Sequence, residues 1–402
     1  MSGKIGRILL VLALIISLIA RNPLLFLMDV LLMVVFGSSW LWGRYCLSNV
    51  SYARRFGALR LFCGEETDLW IEVVNAKPLP LAWLKAEDEF PRGLPVQNMR
   101  LDYSAKAERE TLVNVFTLRW YERVRRHYRL RAARRGAYDF GPALVSSGDL
   151  FGFRERRMEA LQLDSVLVYP KIVSIDKLGL QAARPLGDFR AGRRIVEDPL
   201  RFAAVRDYQP GDSVRHIHWK ATARRGTLQM KVFDPSASQQ LMVCLNTQTL
   251  DNAYAGVMTE VFETTIVVAA SIVHAALKDH RPTGVFANAG LRDSHRWLRV
   301  PASRRSDQLT RILESLAGLT YLTMIPLENL LRLEAPQFPY GATIIVVSPI
   351  VNDEIVSALL DLRAAGHPIA LIVIGALPPT LPPDVPIYSV TENWTNLERL
   401  EL

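Results

Sequence analysis

Residues 342–376 read ATIIVVSPIVNDEIVSALLDLRAAGHPIALIVIGA. Its outer runs, TIIVVS and IALIVI, are apolar at successive rather than alternate positions, as in strands buried on both faces. Between them, NDEIVSALLDLRAAG reads as a helix, so the stretch is strand, helix, strand. The same rhythm runs upstream through QQLMVCLNT, VFETTIVVAASIVHAALKDH, TGVFANAG, RWLRVP and DQLTRILESLAGL. Near-continuous apolar strands between helices imply a parallel sheet covered on both faces over 237–402. The cluster Pro378-Pro379…Pro382-Pro383 ends that pattern, and PIYSVTEN adds an edge strand.

The chain has 402 residues, 50% hydrophobic and 22% charged, long enough for two or three domains and too apolar for disorder. Three separated cysteines give neither a disulfide framework nor a metal spacing. From Leu59 to Pro170, short β-like segments alternate with turn residues: ALRLFC, TDLWIEVVN, RETLVNVFTL, HYRLRA, GAYDFGPAL and LDSVLVYP. Their spacing predicts an all-β, sandwich-like domain over 50–170. Residues 171–195 read as a connector, and 196–236 as a separate motif segment.

Two apolar runs precede these domains, Ile8–Ala20 of 13 residues and Leu24–Trp42 of 19. The second is long enough to cross a bilayer, which needs about 20 residues. The first is shorter, and Lys4 and Arg7 can snorkel to extend it. A signal peptide cut after Ala20 would place the unsuited Leu18 three residues before the cut. We therefore expect a two-helix transmembrane hairpin over 1–45, turning at Arg21-Asn22-Pro23. Lys4 and Arg7 before it, and Arg44, Arg54 and Arg55 after it, place both ends and the soluble part in the cytoplasm.

Net charge is +8, and the excess is concentrated: Arg119–Gly136 holds eight arginines and one glutamate. In HYRLRA, Tyr128 and Leu130 would face the core, leaving His127, Arg129 and Arg131 wet. Arg125, Arg126, Arg129, Arg131, Arg134 and Arg135 form an expected face for anionic lipid headgroups. No nucleic-acid reader fold accompanies them, so nucleic acid is the weaker alternative partner.

The motif segment contains RDYQPGDSVRHIHWKATARRG, 206–226. Gln209-Pro210-Gly211-Asp212 suits a tight turn. Trp219–Arg225 fits a short helix ended by Gly226, after which TLQMKVFDP returns as a strand. We expect a rigid projection with its aromatic buried and its arginines outward.

With the strand that follows it, this segment resembles the signature of the bacterial and archaeal family called domain of unknown function 58. The matching positions are Arg206, Tyr208, Gly211, Asp212, Arg215, Trp219, Lys220, Ala223 and Arg224. RGAYDFGP, SSGDLFG and VLVYPKI agree with it upstream. His218 departs from the pattern, which usually has an acid there. The resemblance implies a von Willebrand factor A-like C-terminal domain and an adaptor or assembly factor. It also implies a MoxR-type AAA+ ATPase as partner, with a membrane transglutaminase-like protein as a second neighbour. On this reading Arg206, Tyr208, Gly211, Asp212, Arg215, Trp219, Lys220 and Arg224 dock a partner or clamp two domains together.

Such domains often hold Mg²⁺ through Asp-x-Ser-x-Ser. Here Asn246, Gln248 and Leu250 replace the aspartate and both serines, a degenerate site for which neither Mg²⁺ nor another cofactor is expected. His216 and His218, with Asp212, are the basis of the alternative, a metal-dependent or hydrolytic enzyme; a pair without a clear third ligand is a weak zinc motif. No phosphate loop, dinucleotide fingerprint, nucleophile elbow or H-E-x-x-H occurs. We therefore expect a membrane-anchored, non-enzymatic adaptor.

Overall fold

The computed structural model describes residues 23–97, 109–175, 202–209, 217–233, 240–252, 256–292, 294–339, 341–377 and 385–400. It also describes residues 15, 17, 19, 99, 101–104 and 106. The chain divides into two compact units, Met1–Val168 and Tyr169–Leu402.

The first unit opens with a helix over Pro23–Tyr45. Proline suits the first helical turn, and the leucine- and methionine-rich sequence costs little rotamer entropy in a helix. Its 23 residues span about 34 Å, enough for a hydrocarbon core of about 30 Å. Its apolar side chains are largely exposed, from Leu24 to Leu41. Ile15, Ser17 and Ile19 are helical, but most of the first arm of the expected hairpin, with Arg21 and Asn22 of its expected turn, lies outside the described residues. A second helix of spanning length, Thr259–Lys278, is mostly buried and belongs to a protein core.

The strands that follow are β1 (Val50–Phe56), β2 (Arg60–Phe62), β3 (Glu66–Asn75), β4 (Leu81–Pro91), β5 (Asp102–Tyr103) and β6 (Arg109–Leu118). Next come β7 (Arg123–Arg131), β8 (Gly136–Phe140), β9 (Ala143–Gly148), β10 (Glu155–Ala160) and β11 (Asp164–Tyr169). They form three sheets, in the orders β1-β3-β7, β10-β9-β4-β6-β5 and β2-β11-β8. Alternation sets the core face, with Leu69, Ile71 and Val73 of β3 buried together with Leu84, Ala86 and Phe90 of β4. GAYDFGPAL, which reads as one segment, is two strands in different sheets, divided at Gly141-Pro142.

Arg54 lies inside this core with no exposed side-chain surface. Its Nη1 donates to Asp88 Oδ1 at 2.7 Å and its Nε to Asp164 Oδ2 at 3.0 Å. Its Nη2 donates to the carbonyls of Phe140 and Gln162. Tyr52 donates its hydroxyl to the other Asp88 oxygen at 2.6 Å.

The second unit adds β12 (Ser174–Ile175), β13 (Phe202–Asp207), β14 (Gln229–Phe233), β15 (Leu241–Leu245), β16 (Thr283–Leu291) and β17 (Ser294–Ser303). It ends with β18 (Leu319–Thr323), β19 (Thr343–Ser348), β20 (Ile369–Ile374), β21 (Ile387–Val390) and β22 (Arg399–Leu400). Its main sheet runs β17-β16-β15-β19-β20-β21, with β18 also on β16. From β16 to β21 every pairing is parallel, whereas β17 and β18 join β16 antiparallel. The expected parallel sheet is therefore mixed at one edge. β15, β19 and β20 are buried almost throughout, as their unbroken apolar runs require. Among the helices between strands, Asp353–Ala364 starts where Asn352 Oδ1 accepts from Ile355 N at 2.9 Å. Within the expected connector, Ser174–Ile175 pairs in parallel with Arg399–Leu400, and residues 176–195 lie outside the described residues.

Burial pushes the Asp88 carboxyl up to about 6, with the Arg54 charge pulling the other way. Removing the guanidinium in Arg54→Ala leaves two carboxylates without their shared cation, a loss of about 3–5 kcal/mol near neutral pH. The folded value of Asp88 lies above its ordinary 3.8, so the folded state takes up this proton first as pH falls. The variant's deficit is therefore largest above about pH 6 and smaller near about pH 5. Urea unfolding of detergent-solubilised native and Arg54→Ala proteins at both pH values checks the sign.

Candidate functional site

β13 and β14 form an antiparallel hairpin with Asp207 opposite Gln229, extended by Tyr208 N donating to Leu228 O at 2.9 Å. Gly211, Asp212, Arg215 and His216 lie outside the described residues. The chain is next described at Ile217, which bridges to Met230, and both side chains are buried. His218 N then donates to Gln229 O at 2.8 Å, and the helix Trp219–Arg225 begins.

Both ends of this helix are capped. His218 Nδ1 accepts from Ala221 N at 3.1 Å, the bond an acidic residue would make there. That bond requires the ring's Nδ1 to be unprotonated. Gly226 closes the helix at φ 71°, with its N–H donating to Thr222 O. Arg224 and Arg225 occupy the last turn, where cations suit the helix dipole.

Gln229 holds the helix to the hairpin. It is fully buried, its N donates to Thr222 Oγ1 at 3.0 Å, and its Nε2 donates to Asp207 Oδ1 and Thr227 Oγ1. Its Oε1 faces Arg225 Nη1 at 3.5 Å. No simple sequence signal marks Gln229 or Asp207, since one polar residue in a short strand ordinarily faces water.

The expected buried aromatic is on the outside. Trp219 is 69% exposed, and Lys220, Ala223, Arg224 and Arg225 are exposed beside it. The half-buried positions are His218, Ala221 and Thr222, on the helix's other side. With Ile217 and Met230 already buried there, the two-turn helix turns its tryptophan outward. Arg206 is also exposed, with its Nη1 donating to Asp207 O at 3.1 Å, whereas Tyr208 is half-buried.

A second cluster caps the carboxyl ends of the parallel strands. β15 has β16 on one side and β19 on the other, so the chain switches direction along the sheet here, the usual ligand position in such sheets. Asn246 Nδ2 donates to Ser348 Oγ at 2.9 Å, and Asn288 Nδ2 donates to Asn246 Oδ1 at 2.9 Å. Asn288 Oδ1 accepts from Thr247 N at 2.7 Å and Thr247 Oγ1 at 2.8 Å. Gln248 N donates to Asn246 Oδ1, and its side-chain amide donates to the Leu250 and Asp251 carbonyls. The network is neutral, and its asparagine oxygens accept from protein donors. Such a donor set fits a hard cation poorly. Among the described residues no group of three His, Cys, Asp or Glu could hold a metal ion. Sequence reasoning placed Asn246, Gln248 and Leu250 here but missed Asn288, whose signal is a single amide within the otherwise small and apolar TGVFANAG. Burial pushes the neighbouring Cys244 thiol up to about 12, and Glu334 adds to the shift.

The basic stretch is β7, paired with acidic β3. Glu66, Asp68 and Glu72 stand opposite Arg131, Arg129 and Arg125. Arg125 meets Glu72 at 2.8 Å, and Arg129 lies 3.9 Å from both Glu66 and Asp68. Arg126 turns the other way, donating to Asn114 Oδ1 at 2.6 Å and lying over the Phe116 ring. Arg131 and Arg134 are exposed, but Arg135 is buried. Strand alternation thus separates Arg126 from Arg125, Arg129 and Arg131, while Arg134 and Arg135 lie beyond the strand, and cross-strand acids offset Arg125 and Arg129.

The family model described as "Protein of unknown function DUF58" matches residues 204–375, from β13 through the end of β20. A Bacillus subtilis (strain 168) protein described as "Uncharacterized protein YeaD" is 26% identical over 250 residues. That match covers 60% of this chain and 56% of the relative, so the chain spans little more than half of that protein. Among solved structures, the CARDB domain of PF1109 from Pyrococcus furiosus overlaps 30% of this chain and 91% of its own, at 9% identity and a TM-score of 0.19. A non-cellulosomal cohesin from Archaeoglobus fulgidus overlaps 30% of this chain and 85% of its own, at 14% identity and a TM-score of 0.18. Likenesses of that size carry no argument about fold or function.

Asn288→Ala removes both the acceptor for Thr247 and the donor to Asn246. It is expected to destabilise the second unit by about 1–3 kcal/mol, read as a lower urea midpoint. At the projection, His218→Ala costs about 1 kcal/mol of local stability and His218→Asp restores it, as amide exchange at Ala221 will report.

Proposed function

We propose that this chain is a membrane-anchored, non-enzymatic adaptor whose Trp219–Arg225 helix docks a MoxR-type AAA+ ATPase. The carrying observation is the 69% exposed Trp219, set beside Lys220 and Arg224 on a helix capped at both ends. Tryptophan and arginine dominate the binding energy of protein interfaces, and a rigid helix loses little entropy on docking. The partner class comes from the family resemblance of the motif. The Pro23–Tyr45 helix would provide the anchor, with both units on the cytoplasmic side. Strand order and the closed amide network favour a von Willebrand A-like second unit that has lost its cation site.

A hydrolytic role has less to stand on, because His218 Nδ1 is engaged in the helix cap. The β7 arginines offer a mixed-charge face, which gives a lipid role weaker support than the helix does.

The test is recovery of the ATPase by detergent-solubilised, tagged protein, with Trp219→Ala and Arg224→Ala alongside. Losing a docking tryptophan typically costs about 2 kcal/mol or more, roughly thirtyfold in affinity. The expected result is lost recovery with an unchanged melting temperature. Equal recovery by all three proteins, or recovery by none, overturns the docking assignment.

A further inference from the structure

The turn between β9 and β10, Asp149-Leu150-Phe151-Gly152-Phe153-Arg154, is tightly held, yet it points its apolar side chains outward. Asp149 is buried, its Oδ1 accepts from Arg154 N at 2.8 Å, and its N donates to Arg154 O at 3.1 Å. Trp83 Nε1 donates to the Asp149 carbonyl at 3.3 Å. Gly152 takes φ 76°, a left-handed conformation that favours glycine. On this fixed frame Leu150, Phe151 and Phe153 are 60%, 50% and 60% exposed.

The turn runs along the end of the long apolar helix within the same unit. Gly43 packs on Arg154, where an added Cβ would lie 2.8 Å from the arginine Cδ. One turn earlier, Ser39 is buried beside the Asp149 side chain. Another turn back, the Phe36 ring stacks on Phe153 with centroids 5.7 Å apart, and Phe153 in turn faces Phe151 at 6.1 Å. Phe36, Ser39 and Gly43 share one helix face, so the turn climbs about 10 Å along it. Phe36 is nine residues before Tyr45, about 13 Å from the helix end. If Tyr45 and Arg44 mark the headgroup level, the Phe153 ring lies within the acyl region. Arg154, Arg156 and Arg157 are exposed just behind the aromatic tip, with Arg157 in an ion pair with Glu155 at 2.9 Å. Apolar tip and basic rim follow the arrangement of an interfacial membrane anchor.

We infer that this turn is a second membrane contact, inserting Leu150, Phe151 and Phe153 among the acyl chains beside Phe36. The occupant is a lipid bilayer, because the patch continues the surface of the helix. The inference rests on the anchoring part of the function proposed above, and its test separates the two.

An environment-sensitive fluorophore is attached to Phe151→Cys in the full chain carrying Cys63→Ser; Cys46 and Cys244 are buried. The protein is reconstituted into phosphatidylcholine–phosphatidylglycerol vesicles with spin labels near the headgroup end or the methyl end of the acyl chains. Val34→Cys, at mid-helix, reports the span, and Tyr103→Cys, 90% exposed, reports water. The expected result at Phe151 is blue-shifted emission, loss of iodide quenching relative to Tyr103, and stronger quenching by the shallow spin label than by the deep one. Iodide quenching at Phe151 equal to that at Tyr103, with Val34 quenched by the deep label, overturns the turn contact alone. Iodide quenching at both Phe151 and Val34 overturns the contact and the anchor together.

Discussion

The Arg54 guanidinium has no contact with water, so its charge must be answered inside the strand-rich unit. Asp88 of β4 and Asp164 of β11 answer it, and the carbonyls of Phe140 and Gln162 accept from its Nη2. One side chain of β1 is thereby bonded to strands of both other sheets of the unit. Apolar contacts tolerate sliding, but a buried ion pair does not, because any displacement leaves charge unpaired in a low dielectric. Phe140 packs against Phe56 and Phe90 beside the pair, so the directional contact and the aromatic core fix one another.

The second unit meets the same requirement with neutral groups. At the switch point of its sheet, Asn246, Thr247, Asn288 and Ser348 satisfy one another. Amides and hydroxyls can be buried at far lower cost than carboxylates, provided each finds its partner. The carboxyl ends of these parallel strands, the usual ligand position in such sheets, are thus tied together by internal bonds.

Two surfaces share a design. In each, a short turn or helix has its backbone hydrogen bonds satisfied, by His218, Gly226 and Gln229 in one and by Asp149 and Trp83 in the other. In each, aromatic groups are nonetheless left in solvent. Rigid display of an apolar side chain has a standing cost in water, and burial against a partner or a bilayer recovers it.

Much of this was legible in the chain. Unbroken runs such as TIIVVS and IALIVI fixed the doubly covered parallel strands, because only a strand buried on both faces tolerates them. RETLVNVFTL matched β6 residue for residue, and Gly226 ended its helix where a positive φ was needed. The Leu24–Trp42 run, interrupted by charge only at Asp29, determined a long apolar helix. Pairing partners were not legible. That Arg125 and Arg129 stand opposite Glu72 and Asp68, while Arg126 turns to Asn114, depends on a register set by residues some fifty positions away. The same holds for Asn288, which is an ordinary polar residue until β15 and β19 bring Asn246 and Ser348 to it. Trp219 looked like a core anchor because tryptophan usually is one. Only the folded hairpin, with Ile217 and Met230 already occupying the inner side, determined that it faces out. Local periodicity depends on a residue and its near neighbours, so sequence suffices for it; which side chains meet depends on long-range closure, and only the tertiary structure decides that.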